Sequence, residues 1–297
     1  MSAAQLGVAN LNVAHLNVDL HSHSIASDGL LPAAEVAVKA AAGGVNVWAL
    51  TDHDEIKALP EARAAAESAG MHFIDGVEIS VSWTPEGKTL STTIHVVGLQ
   101  IDPGNRVLVQ GLKKIRTGRD ARAENMAFEL ELAGIPGALA GAKKYAINPE
   151  LLSRSHFARY LVEAGKARNT HHVFMNYLTE GKPGYVEHQW ATLAEAVQWI
   201  NAAGGVAVVA HPGRYKLTQP QLAQFFAEFK DLGGNAIEVM TGSHSTDQYN
   251  HFAEVARVFG FNASRGSDYH GPGESRIEPG ALPPLPADLR PVWHDWF

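Results

Sequence analysis

Short apolar runs in this chain end again and again on histidine or acid. NVDL (17–20) runs into His21, His23 and Asp28, VNVWAL (45–50) into Asp52 and His53, and VAVVA (206–210) directly into His211. Glu78 lies within VEISVSW (77–83), His95 within TTIHVVGL (92–99), and Asp268 and His270 follow the last weak strand. Helical stretches separate these runs: Pro32 to Ala42 before Gly43-Gly44, Leu59 to Ala69 before Gly70, Leu193 to Ala203, Gln221 to Leu232, and Asp247 to Phe259. Alternating β and α units imply a parallel sheet with helices outside. In a closed barrel the residues at the C-terminal strand ends meet around one mouth. The pattern therefore predicts that polar groups scattered along the whole chain converge in space.

The rhythm breaks once. Residues 104–180 carry little strand signal: Arg106 to Leu132 is periodic and charged, Pro149 to Ala164 and Thr170 to Leu178 read as shorter helices, and GKPG (181–184) is a strong turn. The chain thus reads as one α/β barrel over 17–103 and 190–297, interrupted by a mostly helical insert at 104–189. Its 297 residues suit a barrel of about 250 residues plus an insert. Residues 1–16 are weakly patterned and read as a flexible lead-in without a secretory signal. No apolar run approaches the ~20 residues of a membrane span. The absence of cysteine excludes disulfides, thiolate metal sites and a cysteine nucleophile, and suits the cytoplasm. A net charge of −7 disfavours broad nucleic-acid binding but not a local pocket for a phosphorylated small molecule. No feature points to a protein partner.

Residues i and i+2 of a strand face the same way, so His21 and His23 can chelate one cation, and Asp268 with His270 repeats the geometry. His95, between Ile94 and Val96, is costly to bury without a partner. Nine groups (His21, His23, Asp28, His53, Glu78, His95, His211, Asp268, His270) exceed what one ion can use. They suit two or three ions about 3.5–4 Å apart with Glu78 as a bridge. Oxygen and imidazole ligands without sulfur favour Mn²⁺, Fe²⁺, Zn²⁺ or Mg²⁺. His15, His72, His171, His188, His251 and His294 read as structural, whereas His156 and His244 are candidate substrate contacts. Arg116, Arg119 and Arg122 fall at i, i+3 and i+6, as a solvated basic face or an arginine wall for phosphate. Gly87-Lys88-Thr89 is no phosphate-binding loop, because Ser82 stands where glycine is needed and a strand follows.

DLHSHSIASDG (19–29), LTDHD (50–54), GVEIS (76–80), AHPGR (210–214) and GSDYH (266–270) resemble, in order and spacing, the successive motifs of the PHP (polymerase and histidinol phosphatase) superfamily. The resemblance implies a distorted (β/α)7 TIM-like barrel with a trinuclear metal site. It would place His21, His23, Glu78 and Asp268 on one ion, Glu78, His95 and His211 on a second, and Asp28, His53 and His270 on a third, with Mn²⁺ the first choice. Metal-activated water would attack phosphorus, and His21, His23, Glu78, His211 and Asp268 form the catalytic set. IHVVGLQID, SRSHFARYLV, YLTEGKPGYVEHQWATL and GSHS resemble the bacterial 3′,5′-nucleoside bisphosphate phosphatase branch, which is related to 5′→3′ exoribonucleases acting on short RNA. That implies a nucleotide substrate held by Arg119, Arg122, Arg154, His156, Arg159, Lys182, Arg214 and His244, with Trp83, Tyr185 or Trp190 against the base. His211 or His244 is the expected proton donor to the leaving oxygen. A metal-dependent amidohydrolase or deaminase is the rival enzyme; the set Asp28, His53 and His270 speaks against it. A noncatalytic metal-binding domain would be expected to have lost ligands, and all nine are present.

Overall fold

The computed structural model describes residues 16–188 and 190–297, so the lead-in, with His15, lies almost wholly outside the described residues. Seven strands form one sheet in chain order: β1 (Val18–Asp19), β2 (Val47–Leu50), β3 (His72–Trp83), β4 (Thr92–Leu99), β5 (Val206–Val209), β6 (Ala236–Thr241) and β7 (Asn262–Gly266). The sheet curls until its edges meet. Leu20 N–H donates to the Arg265 carbonyl at 3.0 Å, and Ser22 bridges Tyr269 in parallel. Arg265 fastens this seam by donating to Asn17 Oδ1 (2.7 Å) and the Val18 carbonyl (2.6 Å).

The strands are not all parallel. β3 pairs with β4, and β4 with β5, antiparallel; the other neighbours are parallel. The 77–83 run and the preceding HFI are a single strand passing through Gly76, where a Cβ would lie 2.7 Å from the Thr51 methyl and 2.9 Å from the Leu50 carbonyl oxygen. Reversal of β4 after the β3 hairpin brings His95, in the first half of its strand, to the same mouth that most of the other groups reach from beyond strand ends.

Apolar side chains fill the barrel by alternation. Val18, Leu20, Val47, Ala49, Ile74, Val97, Leu99, Val208, Ala210 and Ala236 form an inner cluster, which Val292 and Trp293 of the proline-rich tail join. Outside the strands lie α1 (Ala33–Ala42), α2 (Leu59–Ser68), α8 (Leu193–Ala202), α9 (Gln219–Asp231) and α10 (Thr246–Phe259). Capping boxes start α8 (Thr192 with Glu195) and α10 (Ser245 with Gln248), and Gly260 at φ 69° ends α10. No helix among the described residues is long and apolar enough to cross a membrane.

Between β4 and β5 run α3 (Arg106–Arg116), α4 (Arg119–Leu132), α5 (Ala138–Lys143), α6 (Arg154–Glu163) and α7 (Thr170–Val173), the last continuing as a π turn over Phe174–Leu178. They carry a small core of their own around Met126, Leu130, Phe157, Leu161 and Leu178. The periodic stretch 106–132 is two helices, because Gly118 at φ 107° breaks it. Arg116 is therefore not on the helix that carries Arg119 and Arg122, and the three do not form one face.

Candidate metal centre

The loop after β1 delivers His21 and His23, the loop after β2 His53, the middle of β3 Glu78, the middle of β4 His95, the turn after β5 His211, and the loop after β7 Asp268 and His270. Their side chains converge in overlapping groups whose ligand atoms lie within 4.8 Å of one another: His21-His23-Glu78, His21-His211-Asp268, His53-Glu78-His95 and His23-Asp28-His53-His270. Glu78 is fully buried and central. One of its oxygens lies 2.9 Å from both His95 Nδ1 and His211 Nε2; the other lies 2.9 Å from His53 Nδ1 and 3.3 Å from the Nε2 atoms of His21 and His23. His211 and Asp268 adopt left-handed backbone (φ 26° and 55°), a cost usually found at functional sites.

These groups fit divalent cations on their donor chemistry. His21 Nε2 and His23 Nε2 stand 3.1 Å apart, and Asp268 Oδ1 is 3.5 and 3.3 Å from them. Two imidazole nitrogens and two carboxylate oxygens thus face one point. His23 Nδ1, Asp28 Oδ1, His53 Nδ1, Glu78 Oε2, His211 Nδ1 and Asp268 Oδ1 are buried without hydrogen-bond partners, which for ordinary buried polar atoms is rare. Positive charge is what the cluster lacks. Burial would raise Glu78, but His53, His95 and His21 hold its carboxyl well below the usual range. Asp28 is held down in the same way by His53 and His270, and Asp268 by His21, His23 and His270. Without cations, protons supply the charge. Burial opposes it on His53, yet Glu78 and Asp28 push that imidazole up to about 9, and Glu238, Glu78 and Asp268 push His21 well above the ordinary histidine. Burial with His270 and His53 drops His23 to about 3, and burial with Arg214 drops His211 to about 3.

A supporting layer was not evident from sequence. Glu238 on β6, 1% exposed, faces His21 Nδ1 at 2.7 Å and accepts from the His211 backbone N–H at 2.6 Å. Asp52 accepts from Ser24 (backbone 2.8 Å, hydroxyl 2.7 Å) and Ser27 (2.5 Å), fixing the loop that carries His23 and Asp28. Asp54 accepts from the Ser80 backbone at 2.7 Å and pairs with Arg119. A charged residue inside an apolar strand such as AIEVM was the available signal for Glu238.

The residues expected to hold substrate divide. Arg119, Arg122 and Arg154 line one small cavity of about 100 Å³ with Asp28, His53 and His95. Arg119 and Arg122 lie 4.6 and 5.3 Å from the Trp190 ring, so that ring already carries two guanidiniums. A second cavity of about 320 Å³, on the β6–β7 side, carries His171, Ser243 and Arg276. The two meet at Ser155, Phe174, Arg214 and His270. Arg214 is half-exposed and donates to Asp268 Oδ2 at 2.9 Å. The other candidates are engaged elsewhere. Arg159 donates to Glu274 (2.8 and 2.9 Å) and to the Asp28 carbonyl (2.5 Å). His156 caps α6, its Nδ1 accepting from the Ser153 N–H at 3.0 Å. His244 Nε2 accepts from the Gly213 N–H at 3.0 Å while Nδ1 faces the Val239 carbonyl at 3.3 Å, so it holds the His211 turn and has no nitrogen left for a leaving oxygen. Trp83 is 3% exposed and donates to Glu228, which removes it from any base. Lys182 is exposed and lines neither cavity, and Tyr185 also lines neither.

A barrel whose mouth gathers this many imidazoles and carboxylates beside arginines is the centre of a metal-dependent phosphoesterase. The chain belongs to the PHP domain family, whose model matches residues 19–242. It is 49% identical over 279 residues to a 3′,5′-nucleoside bisphosphate phosphatase of Chromobacterium violaceum, covering 94% of this chain and 96% of that protein. A 5′-3′ exoribonuclease of Haemophilus influenzae is 40% identical over 275 residues, covering 93% and 97%. Among solved structures, one described as an amidohydrolase from Chromobacterium violaceum, with bound sulfate and no metal, superposes with a TM-score of 0.89 at 49% identity over 94% of this chain and 95% of that one.

Proposed function

We propose that the chain removes the 3′-phosphate from nucleoside 3′,5′-bisphosphates, leaving the 5′-nucleotide and inorganic phosphate. His21, His23, Glu78 and Asp268, then Glu78, His95 and His211, then Asp28, His53 and His270 would hold two or three divalent cations, Mn²⁺ the first choice. When bound, such cations lower the pKa of water and take up charge on phosphoryl oxygens. The chain itself binds and orients. Ser155 donates to Asp28 Oδ2 at 2.8 Å and Arg159 to its carbonyl, so α6 steadies one ligand while presenting Arg154 to the cavity. We infer that residues 104–189 act as a cap that confers specificity. Phe174, shared by both cavities, carries one guanidinium, that of Arg154 at 5.9 Å, where Trp190 carries two, and is the surface we assign to the base.

The observation that carries this reading is unpaired positive charge. Among the described residues, Arg122 and Arg154 have no carboxylate within ion-pair distance. Burial, with Arg154 and Arg119 close by, depresses Arg122 to about 9, and burial also lowers Arg154. A second phosphate on the substrate supplies the missing anion. Two charge-assisted contacts at roughly 1.5–3 kcal/mol each correspond to about two to four decades in kcat/KM. The test compares a nucleoside 3′,5′-bisphosphate with the 3′-monophosphate on manganese-loaded protein. Equal kcat/KM, or release of the 5′-phosphate, refutes the assignment.

A second reading, 5′→3′ hydrolysis of short RNA, is favoured by the second cavity. A bisphosphate needs one lobe for its nucleoside; a diester also needs room for the chain continuing beyond the scissile phosphorus. Arg276→Ala should then slow a 5′-phosphorylated dinucleotide at least tenfold and spare the bisphosphate. Equal effects on both substrates would count against it.

A further inference from the structure

Glu238 has no part in the ligand set, yet it touches that set at two points from a third strand. It is buried in the middle of β6, whose six residues are all buried, where a lone carboxylate is costly unless hydrogen bonds compensate it. Each of its oxygens has one partner. Oε1 lies 2.7 Å from His21 Nδ1, and Oε2 accepts from the His211 backbone N–H at 2.6 Å. An ionised carboxylate only accepts, so it requires a proton on His21 Nδ1 and leaves Nε2 as the nitrogen facing His23, Glu78 and Asp268.

The strand around Glu238 is shaped for this. Pairing between β6 and β7 shifts register between Glu238 and Met240, the mark of a β-bulge, and bulges commonly re-aim side chains beside active sites. The Val239 carbonyl in that bulge meets His244 Nδ1 at 3.3 Å, and His244 Nε2 accepts from the Gly213 N–H. The His211–Gly213 turn is thus held at both ends, by Glu238 at its first N–H and by His244 at its last. That grip matters because His211 sits at φ 26° and ψ 58°, where a side chain other than glycine needs support.

We propose that Glu238 is the positioning residue of the metal centre: one oxygen selects the nitrogen that His21 offers to a cation, and the other holds the His211 turn that aims its imidazole at Glu78. The proposal rests on the reading of the nine groups as cation ligands. Its core is a matter of hydrogen-bond parity. A carboxylate accepts from both partners; a carboxamide of the same shape has one oxygen and one NH₂ and can satisfy only one. In Glu238→Gln, an oxygen kept on the His211 N–H turns NH₂ toward His21 Nδ1 and draws the proton to Nε2. An oxygen kept on His21 instead sets NH₂ against the His211 N–H.

Glu238→Gln and wild type are loaded with Mn²⁺ and compared by elemental analysis and chelator competition. The variant should bind at least one equivalent tenfold or more weakly, within the range typical for partners behind metal ligands, while its circular dichroism matches wild type. Full stoichiometry at wild-type affinity overturns the proposal. The second measurement needs no variant. In ¹⁵N-histidine-labelled wild type loaded with Zn²⁺, long-range ¹H–¹⁵N spectra, assigned with His21→Gln, should show His21 protonated on Nδ1 and coordinating through Nε2. Coordination through Nδ1 overturns the proposal even if Glu238→Gln fails to fold. Wild type that takes up no divalent ion refutes the cluster reading itself, an outcome distinct from a Glu238→Gln protein that binds as wild type does.

Discussion

Replacing Arg122 with methionine should make the protein more stable and the enzyme worse. Arg122 is 7% exposed, has two guanidiniums for neighbours and no carboxylate partner among the described residues. Burial and those neighbours hold it down to about 9, against an ordinary value above 12. At 1.36 kcal/mol per pKa step, keeping it charged at neutral pH costs roughly 4 kcal/mol. Methionine removes that cost but also loses the contact with the Trp190 ring, worth about 0.5–1 kcal/mol, and a hydrogen bond to the Val186 carbonyl, worth about 1 kcal/mol. The net gain is about 2 kcal/mol, or roughly 4–8 °C in Tm at the scaling of domains slightly smaller than this. Loss of one charge-assisted contact should lower kcat/KM for the bisphosphate about 10- to 150-fold and leave the 3′-monophosphate nearly unchanged. Thermal unfolding of metal-free protein and steady-state kinetics on the two substrates measure both halves. A less stable Arg122→Met protein, or equal losses on both substrates, would refute the idea that this pocket keeps its positive charge for an anion.

Glu78→Gln should lose more bound metal than any single histidine substitution, since each Glu78 oxygen faces at least two imidazoles; stoichiometry after Mn²⁺ loading decides it. His53, raised to about 9 in the metal-free protein, should release a proton as a cation binds. Metal affinity should therefore rise from pH 6 to 9, with proton release detected by calorimetry in buffers of different ionisation enthalpy. By the same linkage, the stability that His53 gives the metal-free protein is present below its unfolded value of about 6.5 and is lost as pH rises through about 9, so the metal-free Tm should fall over that window. His244→Ala, which frees the Gly213 N–H and removes a stack on Phe252, should lower kcat more than it raises KM, because it loosens the His211 turn and leaves the arginine cavity in place.

The groups now seen at the mouth were legible because histidine and acid are conspicuous at the ends of apolar runs. His21 and His23 do converge on Glu78, but from the loop beyond β1 rather than as strand neighbours; Asp268, at φ 55°, and His270 lie in the loop beyond β7 and fall in different ligand groups. The reversal of β4 was not legible: TTIHVVGL has the same β-branched composition whichever way it runs, and only its partners reveal direction. Nor could composition separate the arginines. Arg122 and Arg159 look alike in sequence, yet Arg159 is engaged by Glu274, more than a hundred residues away, and Arg122 by no acid among the described residues. His244 was singled out as a substrate contact for the same reason; its two partners are backbone groups that sequence does not display. Glu238 passed unnoticed inside AIEVM because its meaning depends on His21 and His211, which reach it from other strands.

The seam between β1 and β7 closes the barrel by bringing its first and last strands together. β1 contributes only two residues, and beyond it backbone bonds between the flanking loops carry the seam: Leu20 to Arg265, Asp268 to His21 and His23 to Tyr269. His21 and His23 stand on one side of the seam and Asp268 and His270 on the other, so cations held among them, as proposed, would act as rivets across it. A chain still emerging from the ribosome has His21, His53, Glu78 and His95 long before it has Asp268, and cannot complete the set. Asp268 and His270 follow β7, the strand that closes the barrel, so closure of the barrel and completion of the proposed set would come together. Depletion of metal should loosen the molecule first along this line between β1 and β7.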